Sequence, residues 1–201
     1  MRNTIIIDFL GSIAECRNLE SGEHIQRVKK YTELLANELM KEEPMLGLTD
    51  EKISIIVAAS ALHDIGKITI PDSILLKPGK LTEKEFEYMK SHTISGCELL
   101  ERLHNAWDEE FSKVSMEICR HHHERYDGTG YPDKLVGSEI PLSAQIVSIA
   151  DVYDELVNER LYKDAISKEE AFHMIVSGQC GTFSPILLQC FRNVKHDLES
   201  V

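Results

Sequence analysis

The run from Ile53 to Leu62 is apolar apart from Ser54 and Ser60, contains no turn signal, and ends directly on His63-Asp64. Such a run reads as a buried helix, and the carboxylate at its end must be paired or bound to a cation, because an isolated buried charge is very costly. Any fold built around this segment therefore has to supply a counter-charge. Lys67, three residues after Asp64, reads either as a plain salt bridge to it or as part of the same site. An imidazole nitrogen beside a hard carboxylate oxygen suits manganese, iron or zinc, and the absence of cysteine here disfavours a soft-ligand site.

The rest of the chain reads as all-α. Ile25, Val28, Leu35 and Leu39, separated by Lys29, Lys30, Glu33 and Glu38, have the spacing of a helix with one buried stripe, and His24 stands at its beginning. Thr82-Glu83-Lys84-Glu85 and Ser167-Lys168-Glu169-Glu170 have the capping-box form and should each start a helix. Pro141 suits a first helical turn, after which Leu142, Ile146, Ile149, Val152 and Tyr153 carry an apolar face through Asp151 to about Val157. Breaks are expected at Ile70-Pro71-Asp72, at Lys77-Pro78-Gly79 and across Asp127 to Pro132.

A length of 201 residues favours one domain, and no composition shift marks an internal boundary. No segment is long and apolar enough to span a bilayer, and the start Met1 to Asp8 lacks the form of a secretory signal, so a cytoplasmic location is expected. The five cysteines form no C-x-x-C pair and read as reduced packing residues. A net charge of -12 argues against binding a long nucleic acid, although cations bound in an acidic protein can still recruit a small phosphorylated ligand.

Further histidines and acids fall at short spacings. Glu20 and His24 are four apart, so on a helical turn they share a face; alone, that pair is weak evidence for metal. Of His121-His122-His123 at most two can face one site, since successive helical residues turn by about a hundred degrees. Asp151 and Asp154 lie on one helical face, one expected to bind metal while the other orients a histidine or pairs with a basic residue. His92 has no local partner and on its own reads as structural, as do His104, His173 and His196, while Trp107 reads as a packing residue.

Two long stretches together resemble a known family. His63-Asp64-Ile65-Gly66-Lys67 with Ile70-Pro71-Asp72, then His122-His123-Glu124-Arg125-Tyr126-Asp127-Gly128-Thr129-Gly130-Tyr131-Pro132, are similar to the HD-GYP domain, a branch of the HD phosphohydrolase superfamily. Glu20 to His24 precede them and Ala150 to Asp154 follow, so the resemblance runs from about Glu15 to Pro185 of a single domain spanning 1–201. It implies an HD-domain-like helical bundle with two or three divalent metal ions, iron or manganese, in a core cleft. The ligands it implies are Glu20, His24, His63, Asp64, His92, His122, His123 and Asp151, with Asp64 bridging two ions and Glu20 marking capacity for a third.

The activity implied is hydrolysis of cyclic di-GMP to linear pGpG and GMP by a metal-activated hydroxide. Lys67 would act with His63 and Asp64 at the reacting phosphate, and Arg160, Lys163, Tyr131 and Asp127 would lie on the substrate side. The Gly130-Tyr131-Pro132 loop is also implied as a contact for a diguanylate cyclase, and family members commonly sit in a longer regulatory protein. Two departures stand on the substrate side and near a helix start: Leu161 replaces a common proline, and Ser184 replaces an aspartate that serine should match as a helix cap. These departures motivate one alternative, a sensor or scaffold that binds without turnover; a hydrolase of another cyclic dinucleotide or nucleotide is a further alternative, since metal ligands specify reaction type better than base identity.

Overall fold

The structure of the protein, a computed structural model, describes residues 2–17, 22–158 and 165–201. Its helices are α1 (Arg2–Arg17), α2 (Glu23–Glu42), α3 (Asp50–Ser60), α4 (Asp72–Leu75), α5 (Glu83–Lys90), α6 (His92–Arg102), α7 (Glu109–His121), α8 (Leu142–Val157), α9 (Lys168–Val176), α10 (Pro185–Asn193) and α11 (Lys195–Glu199). Among the described residues there is no strand, only an isolated antiparallel bridge between Asp127 and Val136. The chain is all-α, as its patterning required. No described helix is long and apolar enough to cross a membrane.

The expected stripe on α2 is the inner face of the bundle: Ile25, Val28, Leu35 and Leu39 are all buried, joined by Tyr31 and Ala36. This helix packs against α3, α8 and α10, while α7 packs against α3, α6 and α8. Helix α8 is the central element. Most of its own residues are buried, from Ile146, Val147 and Ile149 to Asp151 and Asp154, so acids on this helix are held in a dry, fixed frame.

Local signals behave mostly as read. Thr82 and Glu85 form the reciprocal capping box at α5, and at α9 the Ser167 hydroxyl accepts from the Glu170 amide. Pro141 stands one residue before α8, as its N-cap, rather than inside the first turn. The Ile53–Leu62 run is helical only to Ser60; Ala61 and Leu62 stay buried but lie in the turn that leads into His63. Ser184 occupies the N-cap position of α10, yet its side chain makes no capping hydrogen bond, so that helix starts on Pro185 and burial instead. Cys119 and Cys190 are buried packing residues, whereas Cys16 is exposed, contrary to the packing reading. Trp107 packs edge-on against Phe111 as a core-flanking residue.

After His63-Asp64 a short 3-10 segment, Ile65–Thr69, crosses the start of α6 with almost no separation. At the crossing Gly66 faces Gly96, and a Cβ on Gly66 would run into the His92 carbonyl oxygen and the Gly96 nitrogen. Only hydrogen at this position allows Asp64 and His92 to come together. Gly66→Ala is therefore expected to destabilise the protein by about 1–3 kcal/mol through overpacking against backbone. Urea unfolding checks this; an unchanged midpoint would contradict it.

Candidate metal centre

Five elements meet at one buried point. His24 is the second residue of α2, His63 and Asp64 follow α3, His92 opens α6, His122 and His123 follow α7, and Asp151 lies midway along α8. His92 and His122 nitrogens Nε2 lie 3.2 and 3.6 Å from Asp64 Oδ1. His63 Nε2 lies 3.3 Å from Asp64 Oδ2 and 3.6 Å from Asp151 Oδ1, and His24 Nε2 is 3.7 Å from that same Asp151 oxygen. The donors form two adjacent groups, Asp64 with His92, His122 and His123, and His24 with His63 and Asp151.

The imidazoles are aimed by the backbone. His63 Nδ1 is 2.8 Å from the Ser60 carbonyl, His92 Nδ1 is 2.7 Å from that of Met89, and His122 Nδ1 is 3.1 Å from those of Ile118 and Cys119. A carbonyl oxygen can only accept, so in each ring Nδ1 carries a hydrogen and Nε2 points inward. There the Nε2 atoms of His24, His63, His92 and His122, with Asp64 Oδ1 and Asp151 Oδ1, are buried without a hydrogen-bond partner. Buried polar atoms are almost always satisfied, and six converging exceptions of ligand chemistry fit a divalent cation site.

Charge follows the same pattern. Burial would raise the Asp64 carboxyl, but Lys67 and His63 hold it well below the usual carboxylate range, with the Lys67 ammonium 2.5 Å from Oδ2. Asp151 is likewise depressed, against burial, by His63 and His24. Burial also works against a proton on His63, yet the facing carboxylates Asp64 and Asp151 raise it well above its ordinary value. His122 and His123 are pushed down by burial, and their imidazole neighbours add to the effect. Asp64, Asp151, His122 and His123 are thereby in the states that bind metal, whereas His63 has to give up its proton to a cation.

A family model for the HD domain matches residues 13–183. The chain belongs to the HD domain family. A Vibrio cholerae protein named cyclic di-GMP phosphodiesterase is 40% identical over 98% of this chain and 40% of its own length. A second V. cholerae protein, 3'3'-cGAMP-specific phosphodiesterase 2, is 40% identical over 90% of this chain and 32% of its own length. Among solved structures, Bd1817, an HDG"Y"P protein from Bdellovibrio bacteriovorus, shares the fold with a TM-score of 0.58 at 19% identity, covering 83% of this chain and 52% of that one. The chain thus spans less than half the length of the curated relatives described.

This HD domain brings seven of the eight expected ligands together; the eighth, Glu20, lies outside the described residues, as do Arg160 and Lys163. His121 points elsewhere, with Nδ1 3.5 Å from Asp133. That side group, His121 with Glu124 and Asp133, is already committed: Glu124 accepts from the amides of Asp133, Lys134 and Leu135, and Asp133 forms a two-point ion pair with Arg120. The Tyr131 ring lies 4.8 Å from that of His123. Lys90, two residues before His92 and absent from the sequence reading, has its ammonium 5.4 Å from the Tyr131 ring.

Asp127 is engaged within its own loop. Its Oδ1 accepts from the Thr129 amide and hydroxyl at 3.0 and 2.6 Å, and its Oδ2 accepts from the Thr182 hydroxyl at 2.6 Å, so both oxygens build the loop. Those hydrogen bonds, Thr129 foremost, hold its carboxyl at about 2, below the ordinary 3.8. A depressed carboxylate supports the loop fully above the ordinary value and loses that support as pH falls through its folded value. An NMR titration of the Asp127 carboxyl carbon is expected to show a midpoint near 2 in the wild type and a clear upward move in Thr182→Val. A wild-type midpoint at 3.8 would show that the carboxylate is free.

Proposed function

We propose that this HD domain is a metal-dependent phosphodiesterase that opens a cyclic dinucleotide, with cyclic di-GMP the leading substrate and linear pGpG, then GMP, the products. The observation that carries the reading is the set of six unpartnered inward-facing atoms on His24, His63, His92, His122, Asp64 and Asp151. The names of the V. cholerae relatives supply the substrate class.

In this reading His24, His63 and Asp151 hold one ion, and Asp64, His92, His122 and His123 hold another, with Glu20 available to a third. Nitrogen and carboxylate donors without thiolate suit iron or manganese. Such ions, when bound, supply Lewis acidity that activates water and offsets charge on a phosphoryl oxygen. Asp64 would be the group shared between the two, because Oδ1 faces His92 and His122 while Oδ2 faces His63.

The chain's own side chains supply the remainder. Lys67, with its ammonium held on Asp64, is placed to meet a phosphoryl oxygen brought to the cluster. Tyr131 walls the cleft beside His123, and Arg160 and Lys163 hold the phosphates. Asp127 belongs to the same substrate side and shapes the loop there, its oxygens taking Thr129 and Thr182. A cytoplasmic location and a place in a longer regulatory protein go with this reading. A diguanylate cyclase contact at the loop would fall on exposed residues such as Asp133 and Lys134 rather than on the half-buried Tyr131.

A second substrate reading, a hybrid cyclic GMP-AMP, has a specific motive in the 40% identical relative named for that molecule. Metal ligands define the reaction type better than the base, so the two dinucleotides have to be compared directly. Protein loaded with manganese or with ferrous iron, incubated with cyclic di-GMP and separately with 3'3'-cGAMP, is expected to yield linear dinucleotide on chromatography. His63→Ala should lower the rate by about 100-fold or more. Binding without turnover would favour the sensor or scaffold alternative, and rates unchanged by His63→Ala would overturn the catalytic assignment.

A further inference from the structure

Asp151 and Asp154 stand three residues apart on the same buried face of α8, yet their oxygens are used in opposite ways. Asp151 Oδ1 has no hydrogen-bond partner and looks into the cluster. Asp154 is saturated. Its Oδ2 lies 2.7 Å from His24 Nδ1 and 3.0 Å from Arg27 Nη2, and its Oδ1 takes Arg27 Nε at 2.6 Å and Asn158 Nδ2 at 3.0 Å. A carboxylate held by a guanidinium fork and an amide cannot swing round to a metal. It can hold the ring that it touches.

We infer that Asp154, clamped by Arg27, is a positioning residue that aims His24 Nε2 at the Asp151 half of the centre and sets the affinity of that half for its ion. The inference rests on the metal reading above. His63, His92 and His122 are aimed by backbone carbonyls, so His24 alone among the four inward-facing imidazoles depends on a side chain for its direction. A carboxylate on Nδ1 does more than a carbonyl does: it fixes the ring and also strengthens Nε2 as a donor to a cation. Arg27, three residues after His24 on α2, is itself fixed by the same carboxylate, which joins α2 to α8 through charge. Asn158, at the C-terminal end of α8, is drawn to the same oxygen.

Manganese titration of the whole chain, followed by equilibrium dialysis and metal analysis, tests the assignment independently of catalysis. Wild type is expected to bind at least two ions. In Asp154→Asn the affinity for one ion should fall about 10–100-fold while that for the other stays near the wild-type value. Arg27→Met, which keeps the carboxylate on His24 but frees it to move, should show a smaller loss at the same ion. Asn158→Ala touches Asp154 and not His24, and should leave both affinities close to wild type. In the zinc-loaded protein, long-range nitrogen-proton NMR should report His24 with its hydrogen on Nδ1 and its metal on Nε2, and the Nδ1 signal should move in Asp154→Asn.

Unchanged affinities in Asp154→Asn, or an equal loss at both ions, would overturn the positioning role, the second result marking a merely structural residue. If Asp154→Asn does not fold, Arg27→Met carries the test, and its having no effect on either ion would overturn the role as well. A wild-type protein that takes up no manganese would remove the metal reading and this inference with it, a result visible before any variant is made.

Discussion

Everything in this fold turns on a set of buried nitrogen and oxygen atoms that face one another without hydrogen-bond partners. An unsatisfied buried polar atom costs about 1–3 kcal/mol. Six of them together would consume much of the roughly 5–15 kcal/mol by which a domain is ordinarily stable. The cost is offset in part by ionic contacts, with His63 drawn between Asp64 and Asp151 and Lys67 resting on Asp64. Divalent ions would satisfy all six atoms at once and make use of the two carboxylates, which ion pairing alone does only partly.

The scaffold delivers these atoms from the ends of helices. His63 and His122 follow α3 and α7, whose last turns present carbonyl oxygens that also take a backbone amide, Ser60 from His63 and Ile118 from His122. Those oxygens take the Nδ1 hydrogens, so the same feature that ends each helix also aims its histidine. The glycine contact between residues 66 and 96 brings the Asp64 turn against the start of α6, and the buried α8 supplies Asp151 from the opposite side. A carbonyl is a fixed aiming device, whereas Asp154 is a charged one that couples two helices.

Much of this was legible in the sequence, for physical reasons that differ from residue to residue. The apolar run ending on His63-Asp64 forced a buried charge and its counter-charge, and the heptad-like stripe on α2 placed His24 at a helix start. The pairing of His122 with His123 came from the resemblance; the helical turn only limited the three histidines to two. Asp151 and Asp154 were indistinguishable by spacing, because both lie on one face; only the partners across α2 separate them. Arg27 left a faint trace as a base three residues after His24, and Lys90 none beyond its nearness to His92. The substrate-side role of Asp127 came from the resemblance, and its engagement in the loop was not legible beside it. Its use as a loop anchor depends on Thr182, 55 residues away, which no local pattern reports. Cys16 misled for a simpler reason, since nothing in its neighbourhood says which face of α1 looks outward.

The reading of this HD domain as a hydrolase depends finally on cations occupying the gap that His24, His63, Asp64, His92, His122, His123 and Asp151 enclose. Crystals grown with manganese and measured at an anomalous wavelength locate such cations without reference to activity. The account predicts two strong peaks, one in ligand contact with His24, His63 and Asp151 and the other with His92, His122 and His123, with Asp64 between them. No peak in that gap, or a peak only at His121, Glu124 and Asp133, would contradict it.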